Sequence, residues 1–257
     1  MVVKKVTNIV KNISMYLKDQ ITFPNLGKKG RLGNQLFQIA ATISAAIDHD
    51  LGCAFPDWEY NKFLKNPILE YSKLAPIISY ESTHFYAEPS FRYSNINLPD
   101  FISSSSPAIR VYALEGYFQS RKYFENHEDF IREQFMPSQE IINRIYAKYY
   151  HSSLSYKNCA IHVRRGDYVD LHFYHQIKMD YYEKSMLQIN QQTGIKHFVI
   201  FSDDIEWCKN AFLTAFPDYY FTFIEGNTDF EDLVLMSLYD HQIIANSSFS
   251  WWASFLN

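Results

Sequence analysis

A chain of 257 residues is long enough for one large domain or two smaller ones, and its 47% hydrophobic content can fill a sizeable core. A formal charge of −4, with acids and bases interspersed, excludes the concentrated basic stripe of a nucleic-acid binder; Lys28, Lys29 and Arg31 make only a small cluster. No apolar run of about 18 residues occurs, so no transmembrane helix is expected, and Met1–Lys5 lacks the apolar core of a signal peptide.

Residues 1–20 mix polar and apolar side chains as an amphipathic helix would, and Ile21-Thr22-Phe23 reads as a short strand. Gly27, Gly30 and Gly33 then space a loop. Asn34 stands where a helix cap is expected, and Leu36, Ile39, Ala40 and Ile43 follow with the spacing of a helix stripe. Gly52 is expected to close that helix, and Ala54-Phe55 to start a second strand. From Pro56 to Pro107 prolines and serines dominate, so this stretch predicts little regular structure and suits recognition of a variable partner. Ile109–Leu114 alternates like a strand, Gly116–Ser120 turns it toward a helix around Arg121–Phe124, and residues 138–150 form a further helix bearing Ile141, Ile142 and Ile145. A domain junction is expected near residue 150, dividing the chain into 1–150 and 151–257.

The second half repeats strand and helix: strands at 159–164, 197–201, 219–224 and 242–245, and helices near 179–190, 204–215 and 229–240. Thr228 and Glu231 have capping-box spacing. Short strands alternating with helices of ten or so residues imply βαβ units and a mostly parallel sheet, an α/β fold. Cys53, Cys159 and Cys208 are odd in number and widely spaced, and read as reduced core residues, which favours the cytosol. Of the 20 Tyr and 21 Phe most are expected in the core, while the remainder leave stacking on a carbohydrate open.

Four polar groups lie beyond the carboxyl ends of these strands, where open α/β sheets bind ligands: Arg164, Arg165 and Asp167; Ser202, Asp203 and Asp204; Glu225–Thr228; and Asn246–Ser250. Two guanidiniums at a strand end suit a phosphate, since the rigid fork of arginine matches its oxygens. The competing reading is that both pair with nearby acids, Asp167 among them. Ser202, Asp203, Thr228, Ser247 and Ser248 have an equally plain role as helix caps. Asp203-Asp204 offers a pair of carboxylates for Mg²⁺, against which the arginines can neutralise the same phosphates without metal. The loop Gly27–Gly33 is either an ordinary turn or a close approach of backbone to a ligand. Neither a P-loop, a zinc motif, nor a G-x-S-x-G elbow is present.

Gly30-Arg31-Leu32-Gly33-Asn34-Gln35-Leu36-Phe37-Gln38, His162–Tyr168, Phe201-Ser202-Asp203-Asp204 and Ala245–Trp252 resemble the successive motifs of the bacterial α-1,2-fucosyltransferases, glycosyltransferase family 11. Gly116-Tyr117-Phe118-Gln119-Ser120 and Asp180-Tyr181-Tyr182 fall between them in the expected order, and the resemblance runs from about Ile21 to Asn257. It implies a GT-B-like enzyme of two Rossmann-like lobes that transfers fucose from GDP-β-L-fucose, usually to O2 of galactose, with inversion and without a metal or other cofactor. An N-terminal acceptor-side lobe and a C-terminal GDP-fucose-binding lobe would then correspond to the two halves.

By the same resemblance Arg164 holds the donor diphosphate, with Arg165 and Asp167 supporting it. Gly33 and Asn34 lie near the nucleotide, Asp203 toward the guanosine, and Ser247, Ser248 and Phe249 at the phosphates and fucose. Asp167, and more weakly His175 and Asp180, are candidates for a general base. The implied acceptor is a galactose-terminated surface glycan, such as an O-antigen repeat, in a bacterial cytoplasm and at the inner face of its membrane as a peripheral protein.

Three features depart from the family pattern. About 20 residues precede the first strand, Lys29-Gly30-Arg31 replaces two glycines before the leucine, and the chain stops five residues after Trp252 where relatives continue. A C-terminal lobe that is naturally short, truncated or incomplete is therefore expected, and a non-catalytic nucleotide-sugar or glycan-binding protein is the second reading. A nucleotide-dependent phosphotransferase is disfavoured because no kinase signature occurs.

Overall fold

The structure, a computed structural model, describes residues 18–73, 80–98, 109–150, 154, 157–166 and 176–257. The amphipathic helix expected before residue 18, Asp167 and His175 lie outside these residues. The chain divides into two compact units, Met1–Met136 and Pro137–Asn257.

The first unit is built on a four-stranded parallel sheet. Its strands are β1 (Gln20–Thr22), β2 (Gly52–Cys53), β3 (Tyr80–Ala87) and β4 (Ile109–Glu115), in the order β2-β1-β4-β3. Helix α1 (Leu32–Asp48) is buried from its first residues to Ala46 except at Asn34, because apolar side chains recur around most of its circumference. It begins two residues before the expected cap: Arg31 is the N-cap, and Asn34 lies inside the first turn. Gly52 does not close this helix, which ends at Asp48; Gly52 instead pairs with Gln20 as part of β2. The Pro56–Pro107 stretch contains more regular structure than its prolines suggest, since β3 pairs with β4 along seven register positions. Beyond β4 the chain forms two 3-10 turns, Arg121–Tyr123 and Glu125–His127, before helix α2 (Glu128–Gln134).

Helix α3 (Gln139–Tyr149) opens the second unit, so the boundary lies at Met136–Pro137 and not near residue 150. The reason is long-range bonding: Arg144 Nη1 meets Glu231 Oε1 at 3.0 Å, and the Tyr149 hydroxyl donates to Asn227 at 2.8 Å. The strands β5 (Cys159–Val163), β6 (His197–Ser202), β7 (Tyr220–Phe223) and β8 (His241–Ile243) form a second all-parallel sheet in the order β7-β6-β5-β8. Helices α4 (Met179–Thr193), α5 (Ile205–Ala215), α6 (Asp229–Ser237) and α7 (Ser248–Phe255) complete the alternation.

Strand alternation sorts the side chains between two faces. Cys159, Ile161 and Val163 pack with Tyr182 and Met186 of α4 and with Cys208 and Phe212 of α5. On the other face His162 meets Phe249 of α7, and Phe201 meets Tyr239 just after α6. Burial pushes the Cys159 thiol up to about 12 and Cys208 to about 11, and all three cysteines are free thiols. Among the described residues no helix is long and apolar enough to cross a membrane.

Candidate functional site

In the second sheet the chain runs outward from β5 to β6 to β7, then returns through α6 to place β8 on the opposite side of β5. The crevice between β5 and β8 is therefore a topological switch point, where connections leave in opposite directions and open a gap at the carboxyl ends of the strands. Arg164 and Arg165 follow β5, and Asn246, Ser247 and Ser248 follow β8.

Both arginines are held by the acids that follow the neighbouring strand β6. Arg164 Nη1 lies 2.7 Å from Asp203 Oδ2, with the arginine side chain only 13% exposed. Such shelter from water strengthens a charge pair relative to one on an open surface. Arg165 Nε lies 3.1 Å from Asp204 Oδ2, and its guanidinium sits 3.7 Å from the centre of the Trp207 ring. The other Asp203 oxygen accepts the backbone N–H groups of Arg165 and Gly166 at 3.0 and 3.1 Å. Asp203 is thus the hub that fixes residues 164–166. Gly166 fits there because it lacks a side chain: a Cβ would come within 2.3 Å of Asp203 Oδ2.

Among the described residues both arginines pair with acids, Asp203 and Asp204, while Asp167 lies outside them. The same contacts bear on the Mg²⁺ alternative, because each of these carboxylates already faces a guanidinium. Among the described residues no group of three or more His, Cys, Asp or Glu is placed to hold a metal ion. Asp204 also caps α5, accepting from the Trp207 amide.

Ser247 is the N-cap of α7, its hydroxyl accepting from the Phe249 amide at 3.3 Å. Ser248 and Phe249 form the first turn of that helix, whose amides and dipole favour an anion. Phe249 lies with its ring 5.2 Å from that of His162, the fourth residue of β5. His162 is 5% exposed, and its Nδ1 has no hydrogen-bond partner among the described residues. Burial, reinforced by Arg164 and opposed by Asp203, lowers its pKa from 6.5 to about 4, so the ring is neutral at ordinary pH. Sequence reasoning quoted His162 only as part of a motif; its signal was a lone polar side chain in an otherwise apolar strand.

The Glu225–Thr228 group is bonded elsewhere among the described residues. Asn227 accepts from Lys148 and Tyr149, Lys209 pairs with Glu225, and Thr228 forms with Glu231 the capping box expected from their spacing. These residues anchor α3 and start α6 at the edge strand. Asp180 pairs with Lys184 across one turn of α4, both well exposed, which is a surface ion pair.

In the first unit the switch point lies between β1 and β4, since β2 lies on one side and β3 on the other. The loops after β1 and β4 carry the Gly30–Gln38 and Gly116–Ser120 motifs, and the structure joins them. Gln119 Nε2 donates to Asn34 Oδ1 at 2.5 Å, while Gln38 Nε2 reaches the carbonyls of Lys29 and Gly116 at 3.1 and 3.4 Å. Gln35 donates to the Gly30 carbonyl and accepts from the Trp58 indole at 2.7 Å. Gly30 has φ +81°, and a Cβ there would meet the Asn34 side chain within 2.4 Å, so only glycine lets Asn34 fold back over the loop. Gly33 is buried in the first turn of α1. Gln35, Gln38 and Gln119 were not singled out from sequence as site residues, because a glutamine signals nothing until its partner is known.

A model of the family described as "Glycosyl transferase family 11" matches residues 2–257. The O-antigen biosynthesis glycosyltransferase WbnK of Escherichia coli is 33% identical over 157 residues, 57% of this chain and 51% of the relative. An alpha-1,2-colitosyltransferase of Escherichia coli is 38% identical over 149 residues, 55% of this chain and 50% of the relative. These alignments span about half the length of both curated relatives. The crystal structure of POFUT1 in complex with GDP-fucose superposes with a TM-score of 0.65 at 13% identity, over 93% of this chain and 94% of that one. That likeness establishes the fold class: a GT-B-like α/β architecture with two parallel sheets.

Proposed function

This chain belongs to glycosyl transferase family 11, and from that premise we propose that it transfers L-fucose from GDP-β-L-fucose to O2 of a terminal galactose on a glycan acceptor. The observation that carries the reading is the sheltered pair Arg164 and Arg165 at the β5–β8 switch point, beside the Ser247–Phe249 entrance of α7. Guanidinium groups and helix-entrance amides together make an anion site, and a nucleoside diphosphate is the anion that this reaction releases.

In the proposed reaction the galactose O2 attacks the anomeric carbon of fucose from the face opposite GDP. The C1–O2 bond forms as the C1–O bond to the β-phosphate breaks, O2 gives up its proton, and the β-linked donor becomes an α-linked product. The transition state carries positive charge on the sugar and growing negative charge on the diphosphate. Arg164 acts on that second charge, where a prearranged cation is worth most. Asp203 is a positioning residue, holding Arg164 and the two following amides in place. Asp167 is the base candidate that this reading retains; Asp180, in its exposed pair with Lys184, is set aside.

GDP-colitose is a second donor to test, because one relative is an alpha-1,2-colitosyltransferase and colitose is L-fucose without its 3-hydroxyl. The experiment is transfer from each nucleotide sugar to lactose and to N-acetyllactosamine, with the product linkage and anomeric configuration read by proton NMR. An α-fucosyl group on O2 of galactose supports the proposal. Transfer to O3 of N-acetylglucosamine leaves the donor reading standing and removes the acceptor, whereas GDP binding with no transfer to any galactoside favours a non-catalytic binding protein.

A further inference from the structure

The loop after β3 and the loop after β4 are clamped together at the carboxyl edge of the first sheet. Glu88 accepts the backbone N–H groups of Tyr117 and Phe118 at 2.8 and 3.0 Å, and the Tyr123 hydroxyl at 3.2 Å. Phe118 is fully buried and holds φ +51°, a left-handed conformation that a bulky residue adopts only when its surroundings enforce it. This turn fixes Tyr117 as a base. The ring of Phe91 stacks on it, centroids 5.8 Å apart and planes 29° from parallel, and Lys29 Nζ lies 5.1 Å from the same Tyr117 ring.

Phe91 is 77% exposed. A scattered exposed phenylalanine needs no explanation. This one lies on a strapped, preorganised base, on the sheet edge where open α/β units bind ligands, and beside loops joined to the Gly30–Gln38 motif. One ring face packs on Tyr117 while most of the ring stays open to solvent, an arrangement suited to a flat ligand with one apolar face.

We propose that Phe91 is the platform on which the acceptor galactose stacks, a specificity-determining contact that rests on the fucosyltransferase reading above. In a β-galactoside the axial O4 projects from one face and leaves H3, H4 and H5 as a continuous apolar patch on the other. Stacking that patch on Phe91 leaves the equatorial O2 free at the rim of the ring. The contact orients the acceptor and takes no part in bond making.

Phe91→Ala and Phe91→Tyr test it, with lactose as acceptor and GDP-fucose as donor. Phe91→Ala is expected to raise the lactose KM about five- to tenfold, as loss of an aromatic stack would, with kcat changed less than threefold and the GDP Kd unchanged. Phe91→Tyr, which keeps the ring, should restore the wild-type KM. Saturation-transfer NMR of lactose should show the galactose H3, H4 and H5 signals strongest with wild type and weakened with Phe91→Ala. A wild type that fucosylates lactose while Phe91→Ala keeps its lactose KM overturns the platform alone. A wild type that transfers to no galactoside overturns the enzyme reading, and the platform with it.

Discussion

Asp203 shows how one carboxylate can organise the residues around it. It accepts from Arg164 and from two backbone amides, so residues 164–166 have little freedom left. Gly166→Ala tests that rigidity, because its Cβ would press on an oxygen already held in place. The variant should melt several degrees lower and bind GDP at least tenfold more weakly; calorimetry checks both. His162 gives a pH signature. The unfolded imidazole takes a proton near 6.5 while the folded one resists until about 4, so its contribution to stability is intact above pH 6.5 and is lost as pH falls to 4. Its full size is ~3 kcal/mol. His162→Phe should remove that component, seen as a flatter dependence of unfolding free energy across this window by urea titration. An identical slope in both proteins would contradict the assignment. At this scale the sequence marked Arg164, Arg165 and Asp203, since charged residues at a strand end stand out. It did not mark Trp207, whose stacking on Arg165 depends on the turn from β6 into α5.

Elements were most legible where a pattern is local. The capping box of α6 followed from Thr228 and Glu231 three residues apart, and both reciprocal bonds are present. Thr228→Ala should therefore cost about 1 kcal/mol in stability and leave GDP affinity unchanged, measured by denaturation and calorimetry. A large loss of GDP affinity would return the Glu225–Thr228 loop to the ligand site. By contrast, β3 escaped notice because Tyr80-Glu81-Ser82-Thr83-His84 has no apolar run, and an edge strand needs none. Helix α1 was recognised but misplaced at both ends: the Arg31 side chain does not cap the helix, so no capping residue marks the start.

Across the whole molecule, both sheets place their motif-bearing loops at a switch point, β1–β4 in one unit and β5–β8 in the other. Alternating strands and helices made the second of these readable. The first was hidden by the two-residue β2 and the proline-rich stretch before β4. The unit boundary was misread for a related reason: Ile141 and Ile145 announce α3, but Arg144 and Lys148 choose its partner through bonds spanning 87 and 79 residues. If the guanidinium pair is the anion clamp for the whole enzyme, transfer should survive excess EDTA. Loss of activity restored by Mg²⁺ or Mn²⁺ would assign the clamp to a metal. The central claim is that Arg164, at the β5–β8 crevice, holds the diphosphate of GDP. Isothermal calorimetry of GDP with wild type and Arg164→Ala tests it most directly: a hundredfold or greater loss of affinity in a folded variant is the predicted result, and unchanged affinity would contradict it.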